Sequence, residues 1–268
     1  MLKRLITTII GLPLVIFLVY HGSWPLALVC LLLSLVGLRE LYRAFSKTDK
    51  PIHFVGYVFT VGYFAAVFVF GAGYWLLIGL TLFIIVVQTC LVVFFQQLAL
   101  EDIVVTVYGF LYVSFLLSFV ILVREHYLGQ HYVWLIFISA FGNDTFAYLT
   151  GITIGRHKLV NTPSPKKSVE GLVGGVLGAA LLGLLYGFFV ARFAGNEAVD
   201  YIMINATVIC AIGAVFSIVG DMVASAIKRR TDIKDFGALL PGHGGVLDRL
   251  DSVIFVAPIV FLVMIVLV

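Results

Sequence analysis

The chain has 268 residues, 62% of them hydrophobic and only 12% charged, with a formal net charge of +3. Soluble domains carry about 25% charged residues. A chain with mean hydropathy +1.14 cannot cover itself with a water-compatible surface, so it belongs in a bilayer, and neither a soluble domain nor a nucleic-acid partner is expected.

Met1-Leu-Lys-Arg precedes an apolar run from Leu5 to Tyr20. The following His21-Gly-Ser-Trp-Pro25 has no small-x-small cleavage pattern, so the run is read as an uncleaved first span and not a removable signal. Further apolar runs cover roughly 24–38, 53–70, 74–97, 103–123, 132–152, 171–191, 202–222 and 252–268. These runs are too long for barrel strands and lack alternating polarity, which predicts an all-α polytopic membrane protein of about nine transmembrane helices. Cys30, Cys90 and Cys210 sit apart in separate apolar runs and read as small buried hydrophobes. The whole chain, 1–268, reads as one integral membrane domain. Residues 1–128 supply hydrophobic spans with few polar groups, and 129–268 form the polar, catalytic half.

Charge placement sets the expected topology. With a cytoplasmic N-terminus, alternate loops collect Lys3, Arg4, Arg39, Arg43, Lys47, Lys50, Arg156, Lys158, Lys166, Lys167, Lys228, Arg229, Arg230, Lys234 and Arg249. The opposite side receives only Arg124 and Arg192. This positive-inside bias predicts a C-terminus on the side opposite the cytoplasm.

Asp144 interrupts an apolar run, where a carboxylate at helix centre costs about 2.5–3.5 kcal/mol. It either reaches water near the span's end or lines a polar cavity. Asn143, Thr145 and Tyr148 beside it favour the cavity. The loop 151–171 carries four fixed cations, and Ser164-Pro-Lys166-Lys167-Ser168 places hydroxyls beside ammonium groups on a proline-stiffened turn. An ordinary positive-inside loop is the plain alternative. The densest charge lies between Asp221 and Asp251, with ten charged residues in 31 positions. On a continued eighth helix Asp221, Ser225 and Lys228 share one face. Lys234-Asp235 then leads into Pro241-Gly-His243-Gly244-Gly245, where glycines permit positive φ and close approach of N–H groups to an anion. Asp248, Arg249 and Asp251 open the ninth helix, where acidic residues also suit the helix dipole. Three carboxylates among five cations exceed what loop solvation requires, and hard oxygens hold Mg²⁺ against phosphates. His243 alone is no evidence of a metal site.

Ser225-Ala-Ile-Lys228-Arg229, then Lys234-Asp235-x-Gly237, then Leu240-Pro241-x-His243-Gly244-Gly245-Val246-x-Asp248-Arg249-Leu250-Asp251 resembles the signature of the phosphatidate cytidylyltransferases, the CDP-diacylglycerol synthases. Asp144-Thr145, Ala147-Tyr148, Gly155, Lys158-Leu159, Ser164-Pro165-Lys166-Lys167 and Glu170-Gly171 resemble the family's upstream block. Ser168 and Val169 depart from it, standing where threonine and an aromatic are usual. The resemblance is clear over residues 140–252.

The resemblance implies transfer of CMP from CTP to phosphatidic acid, with release of pyrophosphate, by a homodimeric enzyme embedded in membrane lipid. It further implies dependence on Mg²⁺, with Asp221 and Asp248 as metal ligands and a monovalent cation such as K⁺ as a companion. Asp144 and Asp251 are secondary candidates for the metal. Asp144, Lys228, Arg229, Lys234, Asp235, His243 and Arg249 are the expected catalytic residues. Ser164, Lys166, Lys167, Ser225, Gly244 and Gly245 are expected to meet substrate phosphates. The expected location is a bacterial inner membrane, with the site facing the cytoplasm. A CTP-dependent lipid kinase or related lipid cytidylyltransferase is the nearer alternative. A secondary transporter of an anionic solute is the more distant one, and it should show repeated broken helices in both halves, which the sequence lacks.

Overall fold

The computed structural model describes residues 13–46, 52–160, 162–165, 167–194, 199–239 and 244–267. Eight helical stretches among them are long and apolar enough to cross a membrane, so the protein is an all-helical integral membrane protein. The first expected span begins in residues 1–12, outside the described residues, and its remainder, 13–21, is helical. The chain folds as two compact units. Met1–Glu125 groups with Arg230–Leu250, and His126–Arg229 groups with Asp251–Val268. The charged segment 230–250 thus groups with the first spans.

In the first unit, the helix at 13–21 ends at Gly22, whose φ of 62° reverses the chain into α1, Ser23–Phe45. Arg124 caps that end by donating to the carbonyls of Val19 (2.9 Å) and Tyr20 (2.8 Å), as basic side chains do where helix carbonyls lack partners. Next come α2, His53–Phe70, and α3, Tyr74–Val93. The following span runs as α4, Leu100–Gly109, a π-helical turn, Phe110–Phe115, and α5, Leu116–Glu125. Asp102 starts it by accepting the Ala99 N–H at 2.9 Å.

Fully buried Tyr42 anchors α1 in this unit. Its hydroxyl donates to the Thr106 carbonyl at 3.1 Å, and its ring fills the space that β-carbons on Gly56 and Gly109 would take. The buried hydroxyls of Thr60 and Ser114 satisfy each other at 2.8 Å, as groups without access to water must.

The second unit contains α6, Gly129–Thr153, α7, Val169–Ala194, α8, Val199–Arg230, and most of α9, Leu247–Leu267. Antiparallel α6 and α7 meet along a seam of small residues. Gly142 lies against Ala179 and Leu182, Gly175 against Asn143 and Ala147, Gly174 against Thr150, and Gly178 against the Phe146 ring. Lipid supplies no hydrophobic drive between spans, so close backbone packing of this kind holds them together. Gly183 and Gly187 repeat the device against α8, at Cys210 and Met203. The α8 helix also carries Gly220, which rests on the Asp251 backbone, and the Ser217 carbonyl, which accepts the Ser252 hydroxyl at 3.3 Å.

Candidate active site

Polar side chains gather in two clusters, one in each unit. The first surrounds a cavity of about 420 Å³ in the second unit, lined by Asp144, Tyr148, Gly151, Gly155, Lys158, Lys167 and Gly171, among others. The α6–α7 connection shapes its mouth. Lys158 and Ser168 pair in a single antiparallel bridge, and the Leu159 N–H donates to the Lys167 carbonyl at 3.0 Å. Pro165 helps turn this hairpin, which closes where the Lys167 N–H meets the Ser164 carbonyl at 3.2 Å. Ser168 caps α7, its hydroxyl accepting the Gly171 N–H at 3.1 Å. The cap uses the hydroxyl only as an acceptor, so its O–H stays available as a donor. Glu170 ties down the hairpin's other arm by accepting from the His157 ring at 2.5 Å and from the Arg156 N–H at 3.1 Å.

Lys167 Nζ meets Asp221 Oδ2 at 2.5 Å, joining the hairpin to α8. Asp251 is 9% exposed, and one of its oxygens accepts the next residue's own N–H at 2.7 Å. Asp221 and Asp144 are near enough to repel its carboxylate, and Lys228 near enough to attract it. Continuous α8 to Arg230 places Asp221, Ser225 and Lys228 on one face, as the spacing predicts, with Arg229 exposed beyond them.

Asp144 and Tyr148 line the cavity, but Asn143 and Thr145 do not. Asn143 is 1% exposed and donates to Ser217 on α8 at 3.3 Å, and the Thr145 hydroxyl bonds back to the Phe141 carbonyl at 2.8 Å. A helix turns about 100° per residue, so neighbours of Asp144 in sequence face other helices.

The second cluster lies in the first unit, at the start of α9. Asp248 Oδ2 accepts the N–H groups of Phe236 (2.9 Å) and Gly245 (3.0 Å). Glu40, which the sequence reading did not single out, reaches over from α1. Its carboxylate accepts the N–H groups of Val246 (3.1 Å) and Leu247 (2.9 Å). Gly244 has φ of 86°, a backbone shape that favours glycine, and β-carbons on Gly237 and Gly245 would strike the Glu40 carboxylate. The glycine-rich turn does present N–H groups to anions, but these anions are the protein's own. While the contact to Asp248 holds, the Gly245 N–H cannot also cradle a phosphate.

Lys234 and Asp235 are exposed in the segment before this turn, and Arg249 is exposed in the first turn of α9. Lys166 and His243 lie outside the described residues. Among the described residues, no three His, Cys, Asp or Glu side chains converge as a complete metal-binding set. Mg²⁺ commonly takes only one or two carboxylates and completes its octahedron with water and substrate phosphates, and Asp144 in the cavity lining and Asp221 on the cavity's Lys167 are carboxylates of the kind it takes.

Sequence comparison decides the family. The model of the cytidylyltransferase family matches residues 2–267. This chain belongs to the cytidylyltransferase family. It is 30% identical over 266 residues to a phosphatidate cytidylyltransferase of Staphylococcus aureus, covering 98% of each chain. A phosphatidate cytidylyltransferase of Staphylococcus saprophyticus is 31% identical, with the same coverage. A phosphatidate cytidylyltransferase of Thermotoga maritima is 37% identical over 156 residues, which span 57% of this chain and 56% of that one.

Proposed function

We propose that this cytidylyltransferase makes CDP-diacylglycerol, transferring CMP from CTP to phosphatidic acid with release of pyrophosphate. The observation that carries the reading is the Lys167–Asp221 pair at the cavity bordered by Asp144 and Lys158. The reaction joins two multiply charged anions, so its main demands are positioning and charge neutralisation. A phosphate oxygen of phosphatidic acid attacks the α-phosphorus of CTP, and pyrophosphate departs with the electron pair of the broken P–O bond. Phosphatidic acid is already ionised near neutral pH, so no general base is needed.

Lys158 and Lys167 meet the incoming phosphates. As Lys167 turns toward them it releases Asp221 Oδ2, which adds that oxygen to what the carboxylate can offer a cation. Lys228, Arg229 and Lys234 balance the remaining charge. Asp221 and Asp248, each in its own unit, are the carboxylates that the family resemblance implies for Mg²⁺, with Asp144 and Asp251 as further candidates. When bound, that ion neutralises phosphate charge and withdraws electrons from the reacting phosphorus. A companion K⁺, a homodimer and a cytoplasm-facing site in a bacterial inner membrane belong to the same proposal. Apolar spans let the acyl chains stay in lipid while the headgroup reacts.

The test supplies purified protein with labelled CTP and phosphatidic acid, with and without Mg²⁺. A Mg²⁺-dependent CDP-lipid product is expected. Labelled phosphate transfer without CMP incorporation would point to a lipid kinase instead.

A further inference from the structure

Glu40 is an unusual place for a carboxylate. It lies near the C-terminal end of α1, where the helix dipole disfavours an anion, and it is 7% exposed. Nothing about α1 requires an acid there. What compensates is the opposite pole of another helix. The Val246 and Leu247 N–H groups, at the start of α9, are donors that a helix leaves without internal partners, and both point to Glu40.

The same carboxylate abuts Gly237 and Gly245, so the segments on both sides of the turn close around it. Asp248 then accepts from Phe236 and Gly245. The backbone from Gly245 to Asp248 is thus held between two carboxylates, one from α1 and one of its own. Tyr42, two residues beyond Glu40, is fully buried and hydrogen-bonded to Thr106, so the carboxylate is carried on a fixed support.

We propose that Glu40 is a positioning residue for cytidylyl transfer, its carboxylate fixing the 236–248 segment and thereby the direction in which Asp248 is presented. This rests on the reading of Asp248 as part of the transfer site. It gives the first spans a part in the chemistry, although none of the expected site residues comes from them.

The test compares full-length wild type with Glu40→Ala, Glu40→Gln and Glu40→Asp in detergent, without Mg²⁺ or substrate for the first readout. Amide hydrogen exchange across 236–250 should accelerate about tenfold or more in Glu40→Ala, while α6 and α7 keep their protection. Glu40→Gln should fall between, because its carbonyl oxygen replaces one acceptor and its NH₂ opposes the other donor. In turnover assays the Mg²⁺ concentration for half-maximal rate should rise about 10–100-fold in Glu40→Ala. The KM for phosphatidic acid should stay within about twofold.

Unchanged exchange at 236–250, or a loss of protection spread through every helix, overturns the positioning role. So does an unchanged Mg²⁺ requirement in an active Glu40→Ala enzyme. If that variant does not fold, Glu40→Gln and Glu40→Asp carry the same two readouts. Wild-type protein that makes no CDP-lipid defeats the transfer reading instead, and the exchange experiment still decides whether Glu40 holds the turn.

Discussion

The two polar clusters use the same residue types in opposite ways. Around the start of α9, Glu40 and Asp248 accept backbone N–H groups at 2.9–3.1 Å. Around the cavity, Asp221 is held by the ammonium group of Lys167. Backbone donors cannot leave without unfolding the turn, so the first arrangement fixes geometry. A lysine on a four-carbon stem can swing away, so the second can exchange its partner for a ligand. A carboxylate's role here follows from how easily its partner can move.

Charge removal probes this contrast most severely. Asp221→Asn should lower turnover about 10²–10³-fold, while the protein still fractionates with membranes. Asp248→Asn sharpens the same point. Its carbonyl oxygen can keep both N–H bonds, so the turn should survive while turnover falls by a similar factor. Wild-type-like turnover in that variant would leave Asp248 with the backbone role alone. Lys167→Ala should raise the KM for CTP about 10-fold or more, and Lys167→Arg should recover part of it by restoring charge without the same reach. Equal defects in the two variants would argue against an exchangeable pair.

Smaller effects test the scaffolds. Gly178→Val would drive a branched side chain into the Phe146 ring and should destabilise the second unit by about 1–3 kcal/mol in thermal unfolding. Asn143→Ala loses the bond to Ser217 and should cost about 0.6 kcal/mol by the same measurement, with turnover unchanged.

The helical membrane architecture was legible because hydrophobic run length reports directly on bilayer thickness. The shared face of Asp221, Ser225 and Lys228 was also legible, since helical spacing is a local property. Glu40 was not, because its meaning comes from Val246 and Leu247, 206 and 207 residues away. The one available hint was an acid beside Arg39 at the unfavourable end of an apolar helix. The partners of Asn143 and Ser168, the Ser217 hydroxyl and the Gly171 N–H, were hidden for a related reason. Sequence proximity to a functional residue says little about which neighbour a side chain faces, or whether a helix end claims it. Arg124 shows the same limit, since a cation that reads as a topological marker is spent on closing the helix at 13–21.

The glycine seam of α6 and α7 bears on where movement can occur during turnover. With backbone packed against side chain at Gly142, Gly174, Gly175 and Gly178, sliding or rotation of either helix meets steric resistance along the seam. Asp144 therefore rides on a stiff strut. The hairpin between the two helices lies outside this seam, and what holds it is the Lys158–Ser168 bridge, the backbone bonds at Leu159 and Lys167 and the Glu170 carboxylate.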